Sequence, residues 1–228
     1  MESIKTVYEI RYPKLLNFNL VYKDIINPYF IYPNAGFQIH NEGQHTENIQ
    51  MNFPDSNHIL IFRYDRISFH FDGSYNELMQ SGSNIEMCFD IWEQLKKVVS
   101  FLKISAETLE IIAFKEIETE DEIAELFAAK SNLNPYLNNP IDFKIIESSI
   151  EGNQTISLEY GPFNAETDIT HQRLFTMNKS RAADFIDKRG ILCKCSISGE
   201  KKKVSKKGFK EVVKKCENLL TSVFESYD

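Results

Sequence analysis

Two neighbouring segments, residues 59–64 and 67–72, alternate apolar and polar side chains, and this pattern restricts the fold more than any other part of the sequence. In a β-strand every second side chain lies on the same face, so the alternation predicts two half-buried strands. We expect a hairpin that turns at residues 65–66. Its six apolar side chains would pair on one face, Tyr64 with Ile67, Phe62 with Phe69 and Leu60 with Phe71. Because that face has to be buried, hydrophobicity specifies the register.

Residues 88–102 and 205–227 repeat apolar side chains at three- and four-residue spacing, which is typical of amphipathic helices. A capping box at residues 119–122 predicts the start of a further, shorter helix. Residues 17–47 carry mixed signals, and no element is predicted there. Strand patterns cover residues 4–12, 109–117, 142–150, 154–160, 171–178 and 190–198.

Asparagine and proline are concentrated in residues 131–140, and both interrupt regular structure. The sequence therefore predicts a boundary at this point. An N-terminal α+β subdomain would cover residues 1–131, and a C-terminal β-meander plus helix would cover residues 132–228. Each would be an antiparallel sheet packed against one long amphipathic helix. The expected fold class is α+β.

The composition of the chain excludes several classes of protein. A hydrophobic share of 42% in 228 residues is enough for a packed core. A net charge of -7 argues against a protein that coats nucleic acid or an anionic membrane. No segment has the length and apolar character of a membrane span, and the first residues lack the pattern of a signal peptide. We therefore expect a cytoplasmic protein with reduced cysteines.

The familiar catalytic and cofactor motifs do not occur in this sequence. It contains no phosphate-binding loop, dinucleotide fingerprint, nucleophile elbow or paired-histidine zinc helix. His70 and Asp72 would share one face of the second hairpin strand. One interpretation is the acid–base pair of an unfamiliar hydrolase, and the other is a pair of solvent-facing sheet residues. No catalytic residue is assigned, and no cofactor is expected.

Two groups of potential metal ligands have simpler explanations. Cys193 and Cys195 would share a strand face with two isoleucines, which favours a place in the core over half of a zinc site. The second group lies in one polar loop and consists of His40, Glu42, His45 and Glu47. These residue types bind transition metals, but their spacing matches no familiar site. The sequence therefore predicts no metal at either position.

The strongest charge asymmetry lies at the start of the last predicted helix. Residues 200–215 contain eight lysines and two glutamates, a net charge of +6 in a chain whose total is -7. Such a segment suits contacts to phosphate, which Ser205 and the backbone N–H groups that follow it would assist. The alternative is a solvated helix face that aids solubility. The candidate nucleic-acid or acidic-partner residues are Lys201, Lys202, Lys203, Lys206, Lys207 and Lys210.

An acidic cluster surrounds the start of the short helix predicted after residue 119. Carboxylates in a first helical turn complement the helix dipole, which explains some of them. The remainder could bind Mg²⁺ or a basic partner, and we expect a surface that faces a protein partner. The candidate residues are Glu118, Glu120, Asp121, Glu122 and Glu125.

The hairpin segment 59–71, the helical segment 89–95 and the strand segment 109–114 follow one another in a characteristic order. Their order and spacing resemble a sporadically distributed, uncharacterised bacterial family, over residues 50–130. The patchy occurrence of that family implies a place in mobile defence or toxin-related loci. Where the family carries an Arg-Tyr-Ile-Asn-like sequence, this chain has residues 114–117, and the resemblance transfers no functional residue.

These observations favour a non-enzymatic binding protein. We expect a regulator or accessory subunit, similar to an inhibitor or antitoxin, of a bacterial or phage defence system, with another protein as its partner. A nucleic-acid-binding subunit that uses the lysines is the alternative, and an unfamiliar hydrolase is the third hypothesis. No membrane partner is expected, and the sequence leaves the oligomeric state open.

Overall fold

In the part of the chain that the structure describes, nine antiparallel strands form a single sheet, with helices packed against it. The computed structural model describes residues 1–32, 34–44, 46–99, 102–119, 122–123, 125–127, 143–171, 174–175, 179–200 and 203–227. The strands are β1 (Glu2–Arg11), β2 (Gly36–His40), β3 (Asn48–Phe53), β4 (His58–Arg63), β5 (Arg66–Phe71), β6 (Ala106–Glu116), β7 (Ile145–Glu151), β8 (Gln154–Pro162) and β9 (Gly190–Gly199). The helices are α1 (Phe18–Ile26), α2 (Tyr75–Leu78), α3 (Glu86–Val98), α4 (Lys179–Ala183) and α5 (Lys206–Glu225). Two 3₁₀ helices (Asn27–Ile31 and Pro54–Ser56) and a π-helical turn (Ala165–His171) connect them.

The strands are arranged in the order β2-β3-β4-β5-β1-β6-β9-β8-β7. β1 and β6 therefore lie side by side inside the sheet, and they pair from Glu2↔Phe114 to Arg11↔Ala106. β5 pairs with the other side of β1, and β9 with the other side of β6. The predicted α+β class is confirmed. The predicted boundary falls within residues 128–142, outside the described residues, and the division into two subdomains stays a prediction.

The order of elements repeats along the chain. In the β1–α3 unit, a long strand is followed by a helix, a meander that returns to pair with that strand, and a long helix. In the β6–α5 unit, β7, β8 and β9 form the returning meander and α5 is the closing helix. The two units thus meet through their opening strands, and one sheet runs through both.

The predicted hairpin is present, but its register differs by two residues. The observed pairs are Phe62 with Ile67, Leu60 with Phe69 and His58 with Phe71. A shift of two residues preserves the alternation, so the apolar face is buried as predicted. The pairing of β1 with β5 explains the shift. It extends to Arg11↔Arg66 and so holds Arg66 in a strand, which moves the turn to residues 64–65.

Most other elements lie close to their predicted positions, and residues 171–178 are the exception. The predicted strand is not observed at residue 171, which ends the π-helical turn, or at residues 174–175, which belong to no strand. Residues 172–173 and 176–178 lie outside the described part of the chain. Leu174 and Phe175 are nevertheless buried. Their apolar character therefore reflects burial without strand pairing.

Helices α3 and α5 meet over the centre of the sheet. Tyr8 of β1, Phe89 of α3 and Phe209 of α5 form an aromatic triad with edge-to-face contacts and ring centroids 5.7, 5.1 and 5.9 Å apart. The Tyr8 hydroxyl also donates a hydrogen bond of 2.5 Å to Oε1 of Glu107 in β6. The helix-covered face therefore joins the β1–α3 unit to the β6–α5 unit.

The described residues cover the other face of the sheet only over one end of the central strands β1, β6 and β9. A second apolar cluster forms there under the connection between β8 and β9; its buried members are Ile4, Ile112, Phe114, Phe163, Leu174, Phe175, Phe185 and Leu192. An irregularity in the pairing between Ser3 and Lys5 lets Ile4 join this cluster while Tyr8 joins the core on the helix-covered face. Beyond this cluster the face carries mainly polar side chains, and we call it the open polar face.

Candidate functional site

An exposed apolar surface lies along β2, at one end of the sheet. Phe30 stacks on Phe37 of β2, with ring centroids 4.1 Å apart and planes inclined by 15°. The side chain of Phe30 is 55% exposed, that of Ile31 is 81% exposed, and that of Ile39 in β2 is 45% exposed. We call these four residues the β2 edge surface. Exposed apolar patches can mark interaction sites on protein surfaces.

The local sequence explains why these side chains reach the surface. Pro28 lies at the start of the first 3₁₀ helix, where its missing N–H cannot continue α1 beyond Ile26. None of the five residues of this 3₁₀ helix is buried, although Tyr29, Phe30 and Ile31 are large and apolar. The segment then leads into β2, and no other strand of the described residues lies on its outer side.

The backbone of β2 adds unpaired polar groups to the same edge. Along an antiparallel strand, the residues that bond to a given neighbour alternate. The tight turn at residues 64–65 determines which residues of β4 hydrogen-bond to β5 and which to β3. The pairing of β4 with β3, and of β3 with β2, then determines which residues of β2 hydrogen-bond to β3. Phe37 and Ile39 accordingly direct their N–H and C=O groups away from β3. Hydrogen-bonding groups and apolar side chains therefore occur together at this edge.

The described residues of the loop after β2 do not bring the potential metal ligands together. His40 and Glu42 are exposed, whereas Glu47 is buried, and residue 45 lies outside the described residues. Oε2 of Glu47 accepts a hydrogen bond of 2.8 Å from the N–H of Gly43. Glu47 thus closes the loop.

One of the predicted lysines lines a cleft of about 890 Å³. Lys203 is joined there by Lys96 of α3 and Lys103, which comes shortly before β6. Trp92 and Val204, both almost fully buried, contribute apolar surface. We call this cavity the lysine cleft. Lys201 and Lys202 lie outside the described residues.

The remaining predicted lysines lie elsewhere. Lys206, Lys207 and Lys210 line a separate groove beside Met79. Lys206 also forms an ion pair with Glu86 of α3. The start of α5 is capped, as its sequence suggests, because Oγ of Ser205 accepts a hydrogen bond of 3.1 Å from the N–H of residue 208.

The acidic candidates that the structure describes are all on the surface. Glu118, Glu122 and Glu125 are exposed, and residues 120–121 lie outside the described ranges. The N–H of Glu122 donates a hydrogen bond of 3.2 Å to Oγ1 of Thr119, as the predicted capping box requires. Residues 122–123 and 125–127 are helical. A role for these carboxylates in partner binding stays a prediction.

His70 lies on the open polar face, and Asp72 is buried just beyond the end of β5. Burial, with a further contribution from the charge on Lys5, lowers the pKa of His70 to about 4. Burial also lowers the pKa of Lys5 itself, although Asp72 opposes this effect. A general base works best when its pKa is near the working pH. This imidazole is therefore poorly tuned for acid–base catalysis at neutral pH.

The cysteines are part of the core. Cys193 and Cys195 are fully buried on the helix-covered face, as strand alternation predicts. Cys216 of α5 contacts Cys195 from above the sheet. These three and Cys88 are free thiols. Burial raises the pKa of Cys88 and of Cys193, so both remain protonated at neutral pH.

A function for this chain has to be assigned from its geometry. No protein-family model matches the chain, and no curated protein matches it. Within the described ranges, no three or more histidine, cysteine, aspartate and glutamate side chains are grouped so that they could hold a metal ion. In the same part of the chain, every helix is too short or too polar to cross a bilayer.

Sequence patterns do not reveal the β2 edge surface, because no element is predicted for residues 17–47. One usable signal is the apolar run Tyr29–Tyr32, which lies between Pro28 and Pro33. A run of this length between two prolines is too short for a buried helix. Few of its side chains can therefore be buried in the core.

Replacing His70 with glutamine should flatten the pH dependence of stability. Between pH 6.5 and about 4, the unfolded state binds a proton at His70 that the folded state does not bind, so wild-type stability falls as the pH falls. We expect the wild type to lose up to about 1.4 kcal/mol of unfolding free energy per pH unit more than His70→Gln. Urea unfolding at several pH values in this window measures the difference. Parallel curves for the two proteins would contradict a half-buried imidazole that is neutral in the folded state.

Proposed function

We propose that this chain is a non-enzymatic protein-binding subunit, a regulator or accessory component, that holds its partner at the β2 edge surface. One observation supports the proposal: exposed apolar side chains and outward-directed backbone groups coincide along β2. Exposed edge strands attract further strands unless charge, proline or a covering element prevents it. Here the edge carries Ile39, 45% exposed, at a position where a protective charge would be expected.

The geometry favours a partner that contributes an extended segment. Its backbone would bond to the outward N–H and C=O groups of Phe37 and Ile39, which is the β-augmentation mode of recognition. Every second side chain of that segment would face the helix-covered side and contact Ile39 and Phe30, so these side chains should be apolar. The intervening side chains would lie beside Gln38 and His40 and should be polar.

Replacing Ile39 with lysine should weaken partner binding while leaving the fold intact. Ile39→Lys places a charge on the edge strand, and because the side chain is half exposed we expect stability to change by no more than about 0.5 kcal/mol. Co-expression with each product of the neighbouring genes identifies the partner, and calorimetric titration gives its affinity. We expect an affinity at least about ten-fold weaker, equal to ~1.4 kcal/mol.

Ile186→Lys is the matched control, because Ile186 is also exposed but lies in the connection between β8 and β9. This variant should bind the partner as the wild type does. Equal affinities for Ile39→Lys and Ile186→Lys would reject the β2 edge surface as the docking site. If no neighbouring gene product binds at all, the proposal of a protein-binding subunit fails.

A second candidate function is the binding of nucleic acid or another polyanion in the lysine cleft. The observation that favours it is the convergence of Lys96, Lys103 and Lys203 from three separate segments. Asn153 and Gln154 at the β7–β8 turn supply neutral hydrogen-bonding groups to the same cavity. Lys96 also pairs with Glu93 at 2.6 Å, which leaves Lys103 and Lys203 as the better candidates for phosphate contacts.

Neutralising Lys103 and Lys203 together should weaken binding of a single-stranded oligonucleotide and reduce its salt dependence. Each lost phosphate contact lowers the slope of log K against log salt by about 0.7 for single strands, so the double alanine variant should lose roughly 1.4. Fluorescence anisotropy over a range of salt concentrations measures this slope. Lys97→Ala, at an exposed position of α3, should leave it unchanged. Absence of binding at low salt, or binding that does not depend on salt, would reject this candidate.

A further inference from the structure

β7, at the opposite end of the sheet, presents a second and different edge. Six of its seven residues are exposed, Ile145 being the exception. Ile146 and Ile150 are 67% and 79% exposed. Both lie on the open polar face, because they pair with Glu159 and Thr155 of β8. Two aliphatic side chains thus lie on the same face of β7, one on each side of Ser148.

The backbone of β7 is arranged to accept another strand. Among the described residues β7 pairs with β8 alone, through a turn at residues 152–153 that begins at Glu151. The residue just before such a turn directs its backbone hydrogen bonds to the paired residue on the other strand of the hairpin. The direction of the backbone groups alternates along a strand. Ile146, Ser148 and Ile150 therefore direct their N–H and C=O groups away from β8.

We propose that β7 pairs with β7 of a second copy of this chain, antiparallel about a two-fold axis at Ser148. In this register Ile146 lies opposite Ile150 of the second copy, and Ile150 opposite Ile146. The two outward residues and Ser148 would exchange roughly six backbone hydrogen bonds with their counterparts. The result is a closed, isologous dimer in which one sheet runs through both copies.

The glutamates of β7 favour this register over the registers whose axis lies one residue to either side. With the axis at Ser148, Glu147 lies opposite Ser149 and Glu151 lies opposite Ile145. An axis at residue 147 would place Glu147 opposite its own counterpart, and an axis at residue 149 would place it opposite Glu151. Like charges directly opposite each other are destabilising. Glu151 is further held on its own subunit by an ion pair of 2.7 Å with Lys215.

The hydrophobic pattern supports a second copy as the occupant. With the axis at Ser148, the two isoleucines of one copy lie opposite the two isoleucines of the other. Side chains that are exposed in the monomer would therefore cover each other in the dimer. Ser148 is small enough to meet its counterpart at the axis without a clash. An odd shift of the register would place the isoleucines of the two copies on opposite faces and leave them exposed.

An engineered cysteine at the axis tests the register directly. Ser148→Cys would face its counterpart at about 5.5 Å between Cα atoms, within the range that a disulfide spans. All four native cysteines are buried, so the new thiol is the reactive one. Mild oxidation should yield a cross-linked product of twice 26.5 kDa on a non-reducing gel. Ser149→Cys, which would lie opposite Glu147, should cross-link at least about ten-fold more slowly.

Sedimentation of the unmodified chain tests the dimer independently of cysteine chemistry. The wild type should sediment as a dimer at micromolar concentration. Ile146→Lys combined with Ile150→Lys should sediment as a monomer with an unchanged circular dichroism spectrum, because both side chains are exposed. Ile186→Lys should remain a dimer. A monomeric wild type, or equal cross-linking rates for the two cysteine variants, would overturn the proposal.

Discussion

The pairing of β1 with β6 is the interaction on which the rest of this structure depends. Each of these strands opens a series of elements that returns to it, β5 closing on β1 and β9 closing on β6. The aromatic triad of Tyr8, Phe89 and Phe209 covers the joint, and the hydrogen bond from Tyr8 to Glu107 crosses it. β1 and β6 therefore each have a neighbouring strand on both sides, and the edge strands of the described sheet are β2 and β7.

The two ends of the sheet differ in the face on which they expose apolar groups. At β2 the exposed side chains belong to the helix-covered side, next to the Phe30–Phe37 stack. At β7 the exposed isoleucines belong to the open polar face. A strand added at one end therefore needs a different pattern from a strand added at the other. Under the two proposals, one edge would recognise a partner while the other would pair with a second copy, and the different patterns would keep the two interactions apart.

Local patterns predicted the elements whose burial follows from their own sequence. The apolar face of the hairpin, helices α3 and α5, and the buried Cys193 and Cys195 are examples. The hairpin register was wrong because it depends on β1, more than fifty residues away. The lysine cleft could not be predicted either, since Lys96, Lys103 and Lys203 meet only through the fold. The β2 edge surface escapes prediction for a related reason: edge position is a property of the whole sheet.

Coupled unfolding of the two units tests the central role of the β1–β6 pairing most directly. The chain has one tryptophan, Trp92, and it lies in α3 of the β1–α3 unit. Ile156→Ala removes a buried side chain from β8 of the other unit and should cost about 2–5 kcal/mol. If one sheet unfolds as a whole, Trp92 fluorescence and far-ultraviolet circular dichroism will shift to the same lower urea midpoint. An unchanged fluorescence midpoint beside a shifted dichroism midpoint would contradict this account.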